Sequence, residues 1–93
     1  MTERDEPEPV ELEITDVLDL HTFPPREVGE LVAHWLELAI EKGYRRVRII
    51  HGRGVGVQRR MVRSLLDGHP RVTGYGDMPP AEGGHGATWV ELR

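Results

Sequence analysis

The chain has 93 residues, no cysteine and a formal net charge of −4. That length supports one domain with one modest core, and the lack of cysteine excludes disulfide stapling and a thiolate metal site. No apolar run approaches the roughly 20 residues of a membrane span, and Met1-Thr2-Glu3-Arg4-Asp5-Glu6 lacks the basic and apolar regions of a signal peptide, so a cytoplasmic location and no membrane partner are expected.

Residues 1–10, with Pro7 and Pro9 among acids, read as a flexible acidic tail ahead of a folding domain over 11–93. A strand can begin near Leu12 or Ile14 and is clearest over Val17–His21. Its alternation places Leu18 and Leu20 on one face, with Val17, Asp19 and His21 on the other. Pro24-Pro25 opens a helix, since the first turn tolerates proline. Val28, Leu31, Val32, Trp35, Leu36 and Ala39 form its buried stripe, and Gly43 supplies a left-handed stop. Arg46–Ile50 is a short strand that runs into a glycine loop. Val57–Leu66 reads as a second helix with Met61, Val62, Leu65 and Leu66 inward and Arg59, Arg60 and Arg63 more exposed. Val72–Tyr75 is a weak strand, residues 78–86 are a proline- and glycine-rich loop, and Ala87–Leu92 is a last strand with Thr88, Val90 and Leu92 on one face.

The order βαβαββ predicts an α/β fold, a two-layer sandwich. Its mixed four-stranded sheet carries two helices on one face, because strand-helix-strand crossovers are right-handed. The other face is left open or thinly covered. Trp89 falls on that face, where it covers the sheet, stacks on a base or meets a partner subunit; covering is the plainest role.

The charge is unevenly spread. Residues 1–16 hold seven acids and one base, whereas Arg45, Arg46, Arg48, Arg53, Arg59, Arg60 and Arg63 cluster within nineteen residues. Such a cluster inside an acidic chain suggests a local site for an anion. Parallel strands present their carboxyl ends together, so Asp19 and His21 should meet the loop His51-Gly52-Arg53-Gly54-Val55-Gly56 along one edge. A carboxylate beside an imidazole suits acid–base work. Gly52, Arg53, Gly54 and Gly56 ahead of a helix N-terminus, with Arg59, Arg60 and Arg63 behind them, suit phosphate binding. His51 reads as a second proton-transfer group, a phosphate donor or a side chain that fixes the loop. Asp19, His21, His51, Asp77 and His85 could offer metal ligands, but no spacing is diagnostic, so the expected site uses no metal or cofactor.

Taken in order, Leu18-Asp19-Leu20-His21, His51-Gly52-Arg53-Gly54 and Gly86–Leu92 resemble the Smr (small MutS-related) domain over roughly residues 12–93. The resemblance implies a fold like the C-terminal domain of translation initiation factor three. It implies endonuclease activity on RNA or DNA, including cleavage of messenger RNA at stalled ribosomes, and so nucleic acid and the ribosome as partners. It matches Asp19 and His21 to an Asp-x-His pair, and His51, Gly52 and Gly54 to a second motif. Thr22 departs from the glycine that commonly follows the first histidine. On chemical grounds RNA is the favoured substrate, because its 2′-hydroxyl is an internal nucleophile, whereas DNA needs an activated water. A non-catalytic nucleic-acid-binding module and a protein-interaction domain are the alternatives.

Overall fold

The expected βαβαββ order is present over the residues that the computed structural model describes, 14–52 and 56–93. The acidic tail over residues 1–10, and Arg53 and Gly54 of the loop, lie outside the described residues. The elements are β1 (Val17–Asp19), α1 (Pro25–Glu41), β2 (Arg46–Ile50), α2 (Val57–Asp67), β3 (Val72–Asp77) and β4 (Ala87–Leu92). Two 3₁₀ turns, Pro80–Glu82 and Gly84–Gly86, fill the loop before β4.

Local chemistry sets the helix ends. Pro24 caps α1 in an extended conformation, Pro25 starts it and Glu27 places a negative charge in its first turn. Past its end, Gly43 takes φ 88°, a conformation that costs glycine little. At the start of α2 the cap is Gly56, also left-handed at φ 84°.

The sheet order is β1-β2-β4-β3, with β1 parallel to β2 and β4 antiparallel to both its neighbours. The first three strands therefore run one way, and two right-handed crossovers put both helices on one side. There Val28, Val32, Leu36 and Ala39 of α1 and Val62 and Leu66 of α2 pack over Val47, Ile49, Val90 and Leu92. Trp35 is in this core at 5% exposure. Each fully buried aliphatic side chain contributes about 1.5–3 kcal/mol. No helix among the described residues is long and apolar enough to cross a membrane.

Residue register assigns the two faces. Val47 pairs with Val90 and Ile49 with Thr88 on the helix side, while Arg46, Arg48 and Trp89 face away. The third strand runs two residues further than its sequence pattern indicates, to Asp77, with an irregularity between Val72 and Gly74. The first strand is shorter: it stops at Asp19, and His21 stands in a turn. The pair is thus not held as alternate residues of a strand; the Asp19 carboxylate instead accepts from the His21 backbone N–H.

Candidate active site

Leu20 anchors this turn. Its side chain is fully buried, its N–H donates to Ile50 O at 2.8 Å and its carbonyl accepts from Phe23 N at 3.0 Å. The residues on either side are consequently held at the surface. Asp19 Oδ1 accepts from the His21 backbone N–H at 3.0 Å and lies 2.7 Å from His21 Nδ1. A carboxylate can only accept, so Nδ1 carries the proton and Nε2 is left for other work. The His21 side chain is 69% exposed and that of Asp19 is 45% exposed, so both reach solvent. The His21 ring N–H, seconded by the His21 backbone N–H, holds the Asp19 carboxyl below its ordinary value of 3.8.

His51 leaves β2 at the same edge but points the other way, continuing the inward row of Val47 and Ile49. It is 5% exposed, with Nε2 2.8 Å from Thr88 Oγ1 and Nδ1 3.0 Å from Gly52 O. The carbonyl fixes Nδ1 as the donor, so Nε2 accepts from the Thr88 hydroxyl and the ring is neutral. Burial pushes its pKa below 6.5 and the nearby Arg59 and Arg63 push the same way, against the Gly52 carbonyl and the Asp77 charge. The structure therefore brings Asp19 and His21 together and seats His51 apart from them. Thr88, whose hydroxyl completes the His51 contacts, is the residue that sequence reasoning missed. The signal was a lone hydroxyl on an otherwise aliphatic strand face.

The start of the loop is braced by the segment before β4. The N–H groups of His51 and Gly52 both donate to Gly86 O, at 3.0 and 2.9 Å, so the Gly52 amide is already engaged. Gly52 takes φ 82°. Arg60 is exposed and its Nη1 comes within 3.6 Å of the Cβ position at Gly56, near the start of α2. Arg59 and Arg63 both donate to Asp77 Oδ1, at 2.9 and 2.6 Å, and His85 Nδ1 lies 3.1 Å from Asp77 Oδ2. One carboxylate shared by two guanidiniums leaves an excess of positive charge. The Arg59 hydrogen bond is the main reason the Asp77 carboxyl sits below its usual range.

The neutral imidazole has a measurable consequence. The unfolded chain takes up a proton on His51 near pH 6.5, whereas the fold resists it. The stabilisation is therefore complete above pH 6.5 and is lost as pH falls through the lower folded value. A His51→Gln variant lacks this titration, so the wild-type advantage in Tm is expected to shrink between pH 7.5 and pH 5. A constant difference across that range would show that folding leaves the His51 pKa unchanged, and a difference that grows as pH falls would show that the fold favours the charged ring. Thr88→Val leaves Nε2 without its donor and is expected to cost about 1–3 kcal/mol by denaturant titration.

Known proteins resemble both the sequence and the fold. A family model described as the Smr domain matches residues 18–93. Endonuclease MutS2 of Thermus thermophilus is 45% identical over 76 residues, which cover 82% of this chain and 10% of that protein. Endonuclease MutS2 of Halalkalibacterium halodurans is 38% identical over 100 residues, covering 96% of this chain and 13% of that protein. The chain thus spans about a tenth of the length of these curated relatives. Among solved structures, the Smr domain of Thermus thermophilus MutS2 superposes with a TM-score of 0.80 at 38% identity, covering 85% of this chain and 99% of that one. YdaL, a stand-alone small MutS-related protein from Escherichia coli, gives a TM-score of 0.72 at 33% identity, over 84% of this chain and 64% of that one.

Proposed function

The chain belongs to the Smr domain family, and we propose that it is a nucleic-acid endonuclease acting on RNA through Asp19 and His21. The observation that carries this reading is the 2.7 Å contact between Asp19 Oδ1 and His21 Nδ1, with the ring exposed at the carboxyl ends of two parallel strands. Asp19 fixes the tautomer and balances the charge that His21 gains. Nε2 takes the proton of the 2′-hydroxyl, the O2′–P bond forms as the P–O5′ bond breaks, and water protonates the departing oxygen. The products are a 2′,3′-cyclic phosphate and a 5′-hydroxyl. Arg53 and Arg60, with Gly54 and Gly56, hold the phosphate in this reading, and Arg59 and Arg63 supply positive field behind them. His51 and Gly52 fix the start of that loop, a role supported by the contacts of His51 with Thr88 and Gly52 and of Gly52 with Gly86.

The direct test is to incubate the protein with end-labelled RNA and DNA, with and without EDTA, and to identify the product ends. RNA cleavage that survives EDTA and leaves cyclic phosphate ends is expected. Cleavage abolished by EDTA, or confined to DNA, overturns the mechanism. Binding without cleavage of any substrate makes the chain a nucleic-acid-binding module.

A further inference from the structure

Asp19 lies on the face of the sheet turned away from the helices, and that face leads from it to a cavity that holds an aromatic ring and two arginines. Val17, Arg48, Trp89 and Gly76 are register partners across all four strands, and Asp19 pairs with Ile50 in the next row of the same face. Two strand residues separate the rows, about 6.6–6.8 Å. A cavity of about 440 Å³ opens over the first row, and Val17, Arg46, Arg48, Met78 and Trp89 line it.

The Trp89 side of this cavity is set by β3. The Trp89 ring rests against two glycines: a Cβ at Gly76 would come 2.9 Å from Trp89 Nε1, and one at Gly74 3.6 Å from the ring edge. The Arg46 guanidinium stands over the ring, 4.9 Å from its centroid. Among the described residues the Arg48 guanidinium makes one long bond, 3.4 Å to Glu82 O, which leaves donors for another acceptor. Asp16 and Glu82 also line the cavity, so two carboxylates stand beside its two arginines; a carboxylate can accept from a base N–H group and repels phosphate. A tryptophan that only covered the sheet would need neither the arginine plane above it nor the cavity beside it.

We propose that this face seats an unpaired nucleotide of the same RNA strand that His21 cleaves, with its base on the Arg46–Trp89 stack and its phosphate on Arg48. The proposal rests on the endonuclease reading above and names its substrate as single-stranded at this position. Base stacking on an aromatic ring tolerates sequence, and an arginine plane stacks equally well.

Fluorescence anisotropy with a single-stranded oligoribonucleotide tests it. Trp89→Leu is expected to weaken binding roughly tenfold or more, and Trp89→Phe by less than about threefold. The Arg46→Gln/Arg48→Gln double variant, which keeps the tryptophan, is expected to weaken binding and lower the salt slope by about 0.7 per lost phosphate contact. An abasic residue scanned along the oligonucleotide should cost the wild type one position that Trp89→Leu no longer senses. If Trp89→Leu does not fold, the arginine variant and the scan decide. Unchanged affinity in the folded variants, with cleavage still abolished by His21→Ala, overturns this seat and spares the catalytic reading. A wild-type dimer in sedimentation that Trp89→Leu dissociates makes the face a self-interface and overturns the proposal. Absence of RNA binding by the wild type removes both readings.

Discussion

His21→Ala is expected to slow RNA cleavage by roughly 10²–10⁴-fold with the thermal melt almost unchanged, because it removes the proposed proton-transfer group from an exposed turn. The ring packs against nothing in the core, so loss of rate cannot be blamed on loss of fold. Asp19→Asn keeps the size of the partner but discards its charge, and an amide can present either a donor or an acceptor to Nδ1. The imidazole then loses its fixed tautomer, and a fall of the same order is expected. Single-turnover cleavage of end-labelled RNA measures both, and wild-type rates in a folded Asp19→Asn/His21→Ala double variant would sink the assignment. The acid side of the profile has a defined sign. The Asp19 pKa is depressed below 3.8, so the carboxylate stays ionised throughout the range in which histidines titrate. Its contribution to the fold is present above pH 3.8 and fades as pH falls through the depressed value. On so exposed a pair, that contribution to global stability is small.

The largest effect on stability is expected from Leu20→Ala, about 2–5 kcal/mol. Leu20 is the fully buried residue between Asp19 and His21, and its backbone ties β1 to Ile50 and closes the turn to Phe23. At about 4–8 °C per kcal/mol for a chain of this size, the Tm should fall by roughly 10 °C or more. Leu20→Met preserves volume and is expected to cost less than about 1.5 kcal/mol. The informative comparison is activity below both melting transitions. The alanine variant should lose turnover even while folded, since the cavity loosens the segment that aims His21, and the methionine variant should retain it. Equal activity in both would show that the turn is held by its backbone bonds alone.

Elements whose signals are local were legible. The proline start and glycine stop delimit α1, and the alternation of Ala87–Leu92 marks β4 to the residue. The placement of Asp19 and His21 together was legible too, though for the wrong local reason. Strand alternation predicts a shared face, whereas the ladder stops at Leu20, whose carbonyl accepts from Phe23 N while Gly52 N donates to Gly86 O. The Asp19 carboxylate takes the His21 N–H on the open edge of β1. A side chain that binds the backbone two residues on leaves no trace in a hydrophobic pattern. His51 was ambiguous because its role depends on Thr88, thirty-seven residues away, and no local spacing encodes that bond. The position of β4 inside the sheet was hidden for the same reason: strand order is decided by long-range pairing.

That order has a consequence for how the chain is made. β4 follows β3 in the chain yet is inserted between β2 and β3, so β2 leaves the ribosome with one edge unpaired and waits for residues 87–92 before the sheet can close. A nascent chain in that state exposes a template for pairing with other copies. Arg46 and Arg48 stand on that waiting strand, alternating with Val47 and Ile49, and charge at such positions discourages intermolecular pairing. The two arginines that meet Trp89 in the finished sheet therefore guard the unfinished one, and replacing both by apolar residues should lower soluble yield more than it lowers the Tm of the protein that survives.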